Sequence, residues 1–351
     1  MFARTRRLRP VEVRQRTWVR LGFPSRLGRL ITLCWAVGAI ACATAPTAIQ
    51  EPHPEMLVQL AKGYAFKLVV SPDGYLFAST SAGLLRASVG QPRNWDVISV
   101  PPFFVVGLYA PSRNLVYALA RNTGSIFRWD STGAWTQVYR LPVGSSTNPI
   151  WFQNLWGRNS ADIEAVGFAG SVLHFDGTTW SRDTSVNGAI SDTINALGHD
   201  MYGLSGNDTA TWIGGAVLLQ QIKAGPWSQV QLPAALSARC SSFVALAADH
   251  SSALIASNNC LLRLDGALLR VLSNDLPGVR TPITFGQAQL DSSGLFWTYG
   301  GDVVRSDHGR IRVYEFMGVG AVGGAVSTGG WIYVAGTTLD GGSGVVVRVR
   351  E

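Results

Sequence analysis

Lysine is nearly missing: the 351 residues hold only Lys62, Lys67 and Lys223, and charged residues of both signs make up 15% of the chain. So little charge excludes a coiled coil, and a hydrophobic content of 47% excludes a disordered chain. The formal charge of +7 is not the footprint of a nucleic-acid binder, because nine Arg against one Glu in residues 1–30 account for it. The other 321 residues carry 20 basic and 21 acidic side chains, too even a balance to drive phosphate binding. Metal and cofactor motifs are missing as well. His53, His174, His199, His250 and His308 form no i, i+2 or i, i+4 pair and have no Cys nearby, so a zinc site lacks its spacing. No Gly-x-Gly-x-x-Gly leads from a strand into a helix, and no cofactor is expected.

Long hydrophobic runs are also absent. Leu30 to Ala41 is uncharged over 12 residues and, even carried on to Ala45, stops at Pro46, short of the roughly 20 residues of a membrane span. Arg-rich residues precede it and small residues end it before Cys42, the order of a secretory signal. Ala39-Ile40-Ala41-Cys42 resembles the bacterial lipobox, whose Cys becomes the lipid-modified first residue, with Ala39 standing where Leu is usual. Residues 1–41 are therefore read as a signal sequence and Cys42 as the lipidation site; a soluble export cut near Ala41 or Ala48 and a retained anchor are the alternatives. No Met follows Met1 before Cys42, and a start at Val19 or Leu21 leaves a signal of ordinary length, which makes residues 1–18 a candidate start-site artefact. Residues 42–55, with three Pro, read as a tether and 56–351 as the folded domain. The expected location is the cell envelope, at the outer membrane where one exists because Ala43 rather than Asp follows the Cys, and otherwise periplasmic or extracellular.

Of four Cys, Cys34 lies in the apolar run and Cys42 is the lipid site, which leaves Cys240 and Cys260 as a disulfide candidate in an oxidising compartment. Two unpaired core thiols are the alternative. The strands they precede are separated by one other, about 9–10 Å, beyond the reach of about 7 Å for a bridge, so the loop ends must lean together.

What is present is a repeat. A turn residue, two or three aliphatics, one polar residue and often Asp recur seven times, with the polar position at Arg86, Arg128, His174, Gln220, Arg263, Arg305 and Arg348. The intervals are 42, 46, 46, 43, 42 and 43 residues. A β-rich run precedes each copy, and Trp95, Trp135, Trp180 and Trp227 follow the first four. A period near 43 with about four short strands per unit predicts an all-β fold, a seven-bladed β-propeller of four antiparallel strands per blade. The seventh unit ends without an outer strand, and Met56–Leu60 is expected to supply it and close the ring, since an unpaired edge is a liability.

Leu155 to Ser181, LWGRNSADIEAVGFAGSVLHFDGTTWS, resembles the repeat of bacterial exported propellers, often lipoproteins, that carry W-G…D-x-x-A-V-G…H-F-D-G-x-x-W units. The turns at Asp130–Trp135 and Asp176–Trp180 are loosely similar to the Asp-box of sialidase-type propellers. The first resemblance implies a scaffold or recognition role.

Sialidase chemistry would gather several Arg at one end of the central channel, whereas the repeated polar residues sit one or two places before the outer turn. Asp162 and Glu164 lie two apart on one strand and so face the same side; a glycosidase takes its two carboxyl groups from separate strands. The partner surface is expected where outer-to-inner loops and second-to-third-strand turns emerge together, at Phe103, Phe104, Arg121, Asn122, Trp151, Phe152, Tyr314 and Phe316, because aromatic and Arg anchors serve recognition. The expected protein is a monomeric, non-enzymatic binding or assembly scaffold, membrane-attached only through its N-terminus, whose partner is an envelope protein or an extracellular glycan. A propeller glycoside hydrolase or glycan-binding protein is the alternative. Replacing Cys42 with Ala should shift the protein from the membrane pellet to the soluble fraction; an unchanged partition on fractionation rules the lipid out.

Overall fold

The computed structural model describes residues 13–17, 54–121, 123–141, 152–189, 200–237, 240, 242–248, 252–257, 260–265, 268–273, 288–291, 294–299, 302–307, 310–316 and 319–350. Cys42 and the remainder of the segment read as signal and tether, apart from strand Val13–Thr17 and Pro54–Glu55, lie outside them. Among the described residues no helix is long and apolar enough to cross a membrane.

Strands follow one another in antiparallel sheets, each built from consecutive segments of the chain except where one N-terminal strand joins the sixth and one the seventh. The first sheet runs Ala65–Val70, Tyr75–Thr80, Gly83–Ser88 and Asp96–Ser99. The second runs Val105–Ser112, Leu115–Ala120, Ser125–Asp130 and Trp135–Arg140; the third Phe152–Asn159, Asp162–Gly167, Val172–Phe175 and Trp180–Arg182. Four more sheets start their inner strands at Met201, Phe243, Ala288 and Val319. Each repeated polar residue falls on a third strand, and Trp135, Trp180 and Trp227 open outermost strands.

Packing explains the order. Leu76, Ala78 and Leu85 of the first sheet bury against Val326, Tyr333 and Val346 of the seventh, while Phe77 and Leu84 on its other face bury against Val105, Leu108 and Val116 of the second. The inner strand Val319–Thr328 passes so close to the first sheet that a Cβ on Gly323 would lie 2.2 Å from the Phe66 carbonyl oxygen, which accounts for the run of small residues there.

Strand Glu55–Gln59 pairs antiparallel with Gly344–Arg350 as the outer strand of the seventh sheet. The pairing shifts register between Met56 and Val58. As a result Leu57 and Val58 both pack toward the first sheet and Met56 toward the sixth–seventh cluster, where plain alternation would have split Leu57 from Val58. Glu55 holds the segment electrostatically. Its Oε2 accepts from Arg348 Nε at 2.8 Å and its Oε1 from Arg93 Nε at 2.6 Å, so it joins the seventh sheet to a loop of the first. Burial pushes its carboxyl up, and the two guanidinium hydrogen bonds outweigh that and hold it below the usual carboxylate range. Arg348 itself lies 4.0 Å over the Trp331 ring. In the sixth sheet Val13–Thr17, within the segment read as signal, adds a fifth strand beside Arg310–Phe316.

Cys240 and Cys260 are joined in a disulfide with Cα atoms 5.4 Å apart. Cys240 sits three residues before its strand, its N–H donating to Leu236 O at 2.7 Å beside the short helix Ala234–Ser237, and this brings it over the third strand instead of two strands away.

A chain beginning at Tyr64 forfeits the burial of Met56, Leu57 and Val58, about 3 kcal/mol. Relative to a chain beginning at Gln50 its Tm should fall by roughly 6–12 °C, with a tendency to associate through the bared Val345–Val349 edge. Equal melting by calorimetry means that the segment is a tether and no structural strand.

Candidate functional site

The inner strands share an irregularity at the end where they begin. In six of the seven sheets the register between first and second strands slips at the inner strand's second residue: Phe66, Val106, Gln153, Tyr202, Val244 and Gly320. Such bulges re-aim a side chain and are common at barrel rims and beside sites. At Phe66 the bulge interrupts the ladder, and the next N–H, that of Lys67, is taken by Ser79 Oγ at 3.0 Å.

The same end gathers aromatic side chains. The Phe104 ring lies 4.5 Å from the Tyr64 ring and 5.3 Å from the Phe66 ring, and the Arg121 guanidinium stands 5.3 Å over Phe104. A backbone bond from Arg121 N–H to Phe104 O at 2.8 Å fixes the turn that carries the cation. Beside this group is a cavity of about 330 Å³ lined by Tyr64, Ser81, Val100, Pro101, Phe103 and Phe104. Ser81 shapes its wall, accepting from Tyr64 N–H at 3.2 Å and donating to Lys62 O at 3.2 Å. Gly63, at φ +105° and with Ser81 Oγ where a Cβ would go, permits that approach. Burial raises the Tyr64 phenol, opposed by the Arg121 charge, so the hydroxyl stays protonated and able to donate.

Of the expected partner-binding residues, the structure brings Phe104 and Arg121 together and puts Phe103 in the cavity wall. Phe103 also stacks on Phe127 at 4.0 Å and meets Trp135 edge-on at 5.5 Å, which makes it part of the packing between the first and second sheets. Phe152 and Phe316 are corrected to core residues, 3% and 4% exposed, because each sits at the end of a strand where the neighbouring sheet covers it. Tyr314 is paired in the sixth sheet opposite Val303 and Gln15. Asn122 and Trp151 lie outside the described residues. Sequence reasoning missed Tyr64, Phe66 and Lys67. The rule that picked out the loop before the second sheet applies equally to the loop before the first, and a lysine inside the apolar run AFKLVV was a further signal.

Asp162 and Glu164 do face one side, in a polar network between the third and fourth sheets. Arg158 donates to Asp162, to Asn207 O at 2.8 Å and to Thr211 Oγ1 at 3.2 Å, while His174 Nε2 meets the other Asp162 oxygen at 3.2 Å. Glu164 is 4% exposed, and its Oε2 has no hydrogen-bond partner. Burial, then the charge of Asp162, pushes its carboxyl up to about 8 against the pull of Arg158. Among the described residues no group of three or more His, Cys, Asp or Glu could hold a metal ion.

Sheets of this kind, in this order, define a β-propeller, and solved structures agree. The chain matches no protein-family model and no curated protein. It is similar to virginiamycin B lyase from Staphylococcus aureus, at 13% identity and a TM-score of 0.60 over 85% of this chain and 97% of that one. It is similar also to YCF48 from Cyanidioschyzon merolae, at 11% identity and a TM-score of 0.56 over 85% and 98% of the two chains. PorZ, a surface component of the type-IX secretion system of Porphyromonas gingivalis, matches at 15% identity and a TM-score of 0.54, over 83% of this chain and 39% of that one. Identities this low establish the fold. They also correct the expectation of a protein without enzymatic activity: the lyases carry chemistry on this fold, so the architecture gives no ground for excluding catalysis.

The buried carboxyl carries a pH signature. With its folded value near 8 and an ordinary unfolded value, Glu164 favours the native state fully below the carboxylate range, and this stabilisation drains away as pH rises toward 8. Between pH 5 and pH 7 the wild type should lose roughly 2 kcal/mol more stability than Glu164→Gln. Parallel pH dependences in thermal unfolding of the two proteins would show that Glu164 is ionised in the fold.

Proposed function

We propose that this chain is an exported seven-bladed β-propeller, closed by Glu55–Gln59 and anchored by lipid at Cys42, that binds a protein of the cell envelope through its loop end. The observation that carries the reading is the Tyr64–Phe104–Arg121 group beside the cavity. It combines rigid aromatic area with an exposed cation that has no carboxylate partner among the described residues, the composition of a recognition hot spot. Propeller relatives support a binding role: YCF48 has been solved bound to D1 peptide, and PorZ is a bacterial surface component. The resemblance of Leu155–Ser181 to exported propellers and the signal-like N-terminus support the location.

A photo-cross-linking residue placed at Val100, 67% exposed on the cavity wall, should trap a protein adduct in intact cells, and one at Ile222, 56% exposed at the other end of a third strand, should not. Arg121→Ala or Phe104→Ala should weaken the Val100 adduct by roughly tenfold, the loss of one hot-spot contact. Equal adducts from both positions, or a Val100 adduct indifferent to both substitutions, overturn the reading; a carbohydrate adduct at Val100 transfers it to glycan binding.

A further inference from the structure

Lys67 is the anomaly of the inner strands. It is 4% exposed on the strand Ala65–Val70, and its ammonium makes no hydrogen bond or ion pair among the described residues. Buried cations are ordinarily paired, since an unpaired one forfeits its hydration without return. What stands near the ammonium is the Phe66 ring, 5.7 Å from Nζ to centroid. No carboxylate compensates it: burial alone pulls the group down to about 8, with no acidic neighbour opposing. The residue keeps only a small exposure to solvent.

Packing does not call for this side chain. Every other described member of the strand is apolar, and Leu68 and Val70 fill the cluster shared with the seventh sheet. The bulge at Phe66 and the bond from Lys67 N–H to Ser79 Oγ fix the backbone from which the lysine leaves the strand.

We propose that Lys67 is the anion-binding group of a small-ligand site at the start of the first inner strand, taking a carboxylate on its ammonium and an apolar or aromatic body against Phe66. A monocarboxylate matches a single buried cation in apolar surroundings. A phosphate dianion would bring a second charge, and the described residues place no second cation beside Nζ to meet it. This site goes beyond the partner-binding reading and does not rest on it, because its test observes Lys67 directly.

Three lysines make the test tractable. In the full chain labelled with 13C at lysine Cε, Lys62→Arg and Lys223→Arg assign the remaining signal to Lys67. Benzoate should move that signal saturably, its neutral isostere benzamide should not, and inorganic phosphate should compete weakly or not at all. Because only the ammonium binds, benzoate affinity should fall about tenfold between pH 7 and pH 9, across a titration near 8. Lys67→Met, folded with a Tm at or above that of the wild type, should lose benzoate binding at least tenfold. The inference is overturned if benzoate leaves the Lys67 signal unmoved, if benzamide binds equally well, or if the affinity does not depend on pH. Saturable phosphate binding in place of benzoate overturns the carboxylate class. The direct signal decides even if the methionine variant fails to fold, and none of these results alters cross-linking from Val100.

Discussion

Apolar side chains cover both faces of each sheet whose packing is described, and a sheet of that kind is not stable until something lies on each side of it. In the third sheet Ile163, Ala165 and Leu173 bury against the second, while Val166 and Val172 bury against the fourth. Strands of three to eight residues could not hold such a surface out of water alone. Each unit therefore needs two neighbours, and the first and seventh meet this need through each other. The crowding at Gly323 follows, because the inner strands converge where the sheets come closest together.

A frame built this way restricts where chemistry can sit. Polar groups between sheets have to be met in place, as Arg158 and Asp162 are by each other, or have their ionisation opposed, as burial does for Glu164. Loops and turns at the strand starts are free of that demand, and there the aromatic group of Tyr64, Phe66 and Phe104 collects beside a cavity. Lys67 belongs to neither category. It is buried like a frame residue and, among the described residues, unpaired like a loop residue, and this combination sets it apart from Lys62 and Lys223.

Much of the architecture was legible because repetition multiplies a weak signal. No single run such as CLLRLD identifies a strand, yet seven polar residues at nearly equal spacing set the phase of every third strand. The pairing of Glu55–Gln59 was legible from the missing outer strand, but its internal slip was not, since a bulge is a backbone event that leaves no mark in an alternating sequence. At the loop end, aromatic content pointed to Phe104 and Arg121 and equally to Phe152 and Phe316. The pattern could not tell an exposed ring from one covered by the next sheet, because that depends on how neighbouring sheets meet. Tyr64 and Lys67 escaped notice because they precede the first copy of the repeat, although the loop that leads into their sheet follows the outer strand Glu55–Gln59 just as the later loops follow theirs.

The pairing of Glu55 with Arg348 spans a sequence separation of 293 residues. During synthesis Glu55–Gln59 has to wait for Gly344–Arg350, and until then the face of the first sheet that Tyr333 and Val346 will cover stays open to water and to other chains. Intermediate sheets can pack onto their predecessors as they emerge, but the pairing of Glu55–Gln59 comes only once Gly344–Arg350 has been made. Nascent molecules that stall before Gly344 would therefore present two bare sheets at once, so a truncated message is a greater hazard for this fold than for a chain whose neighbours in space are also neighbours in sequence.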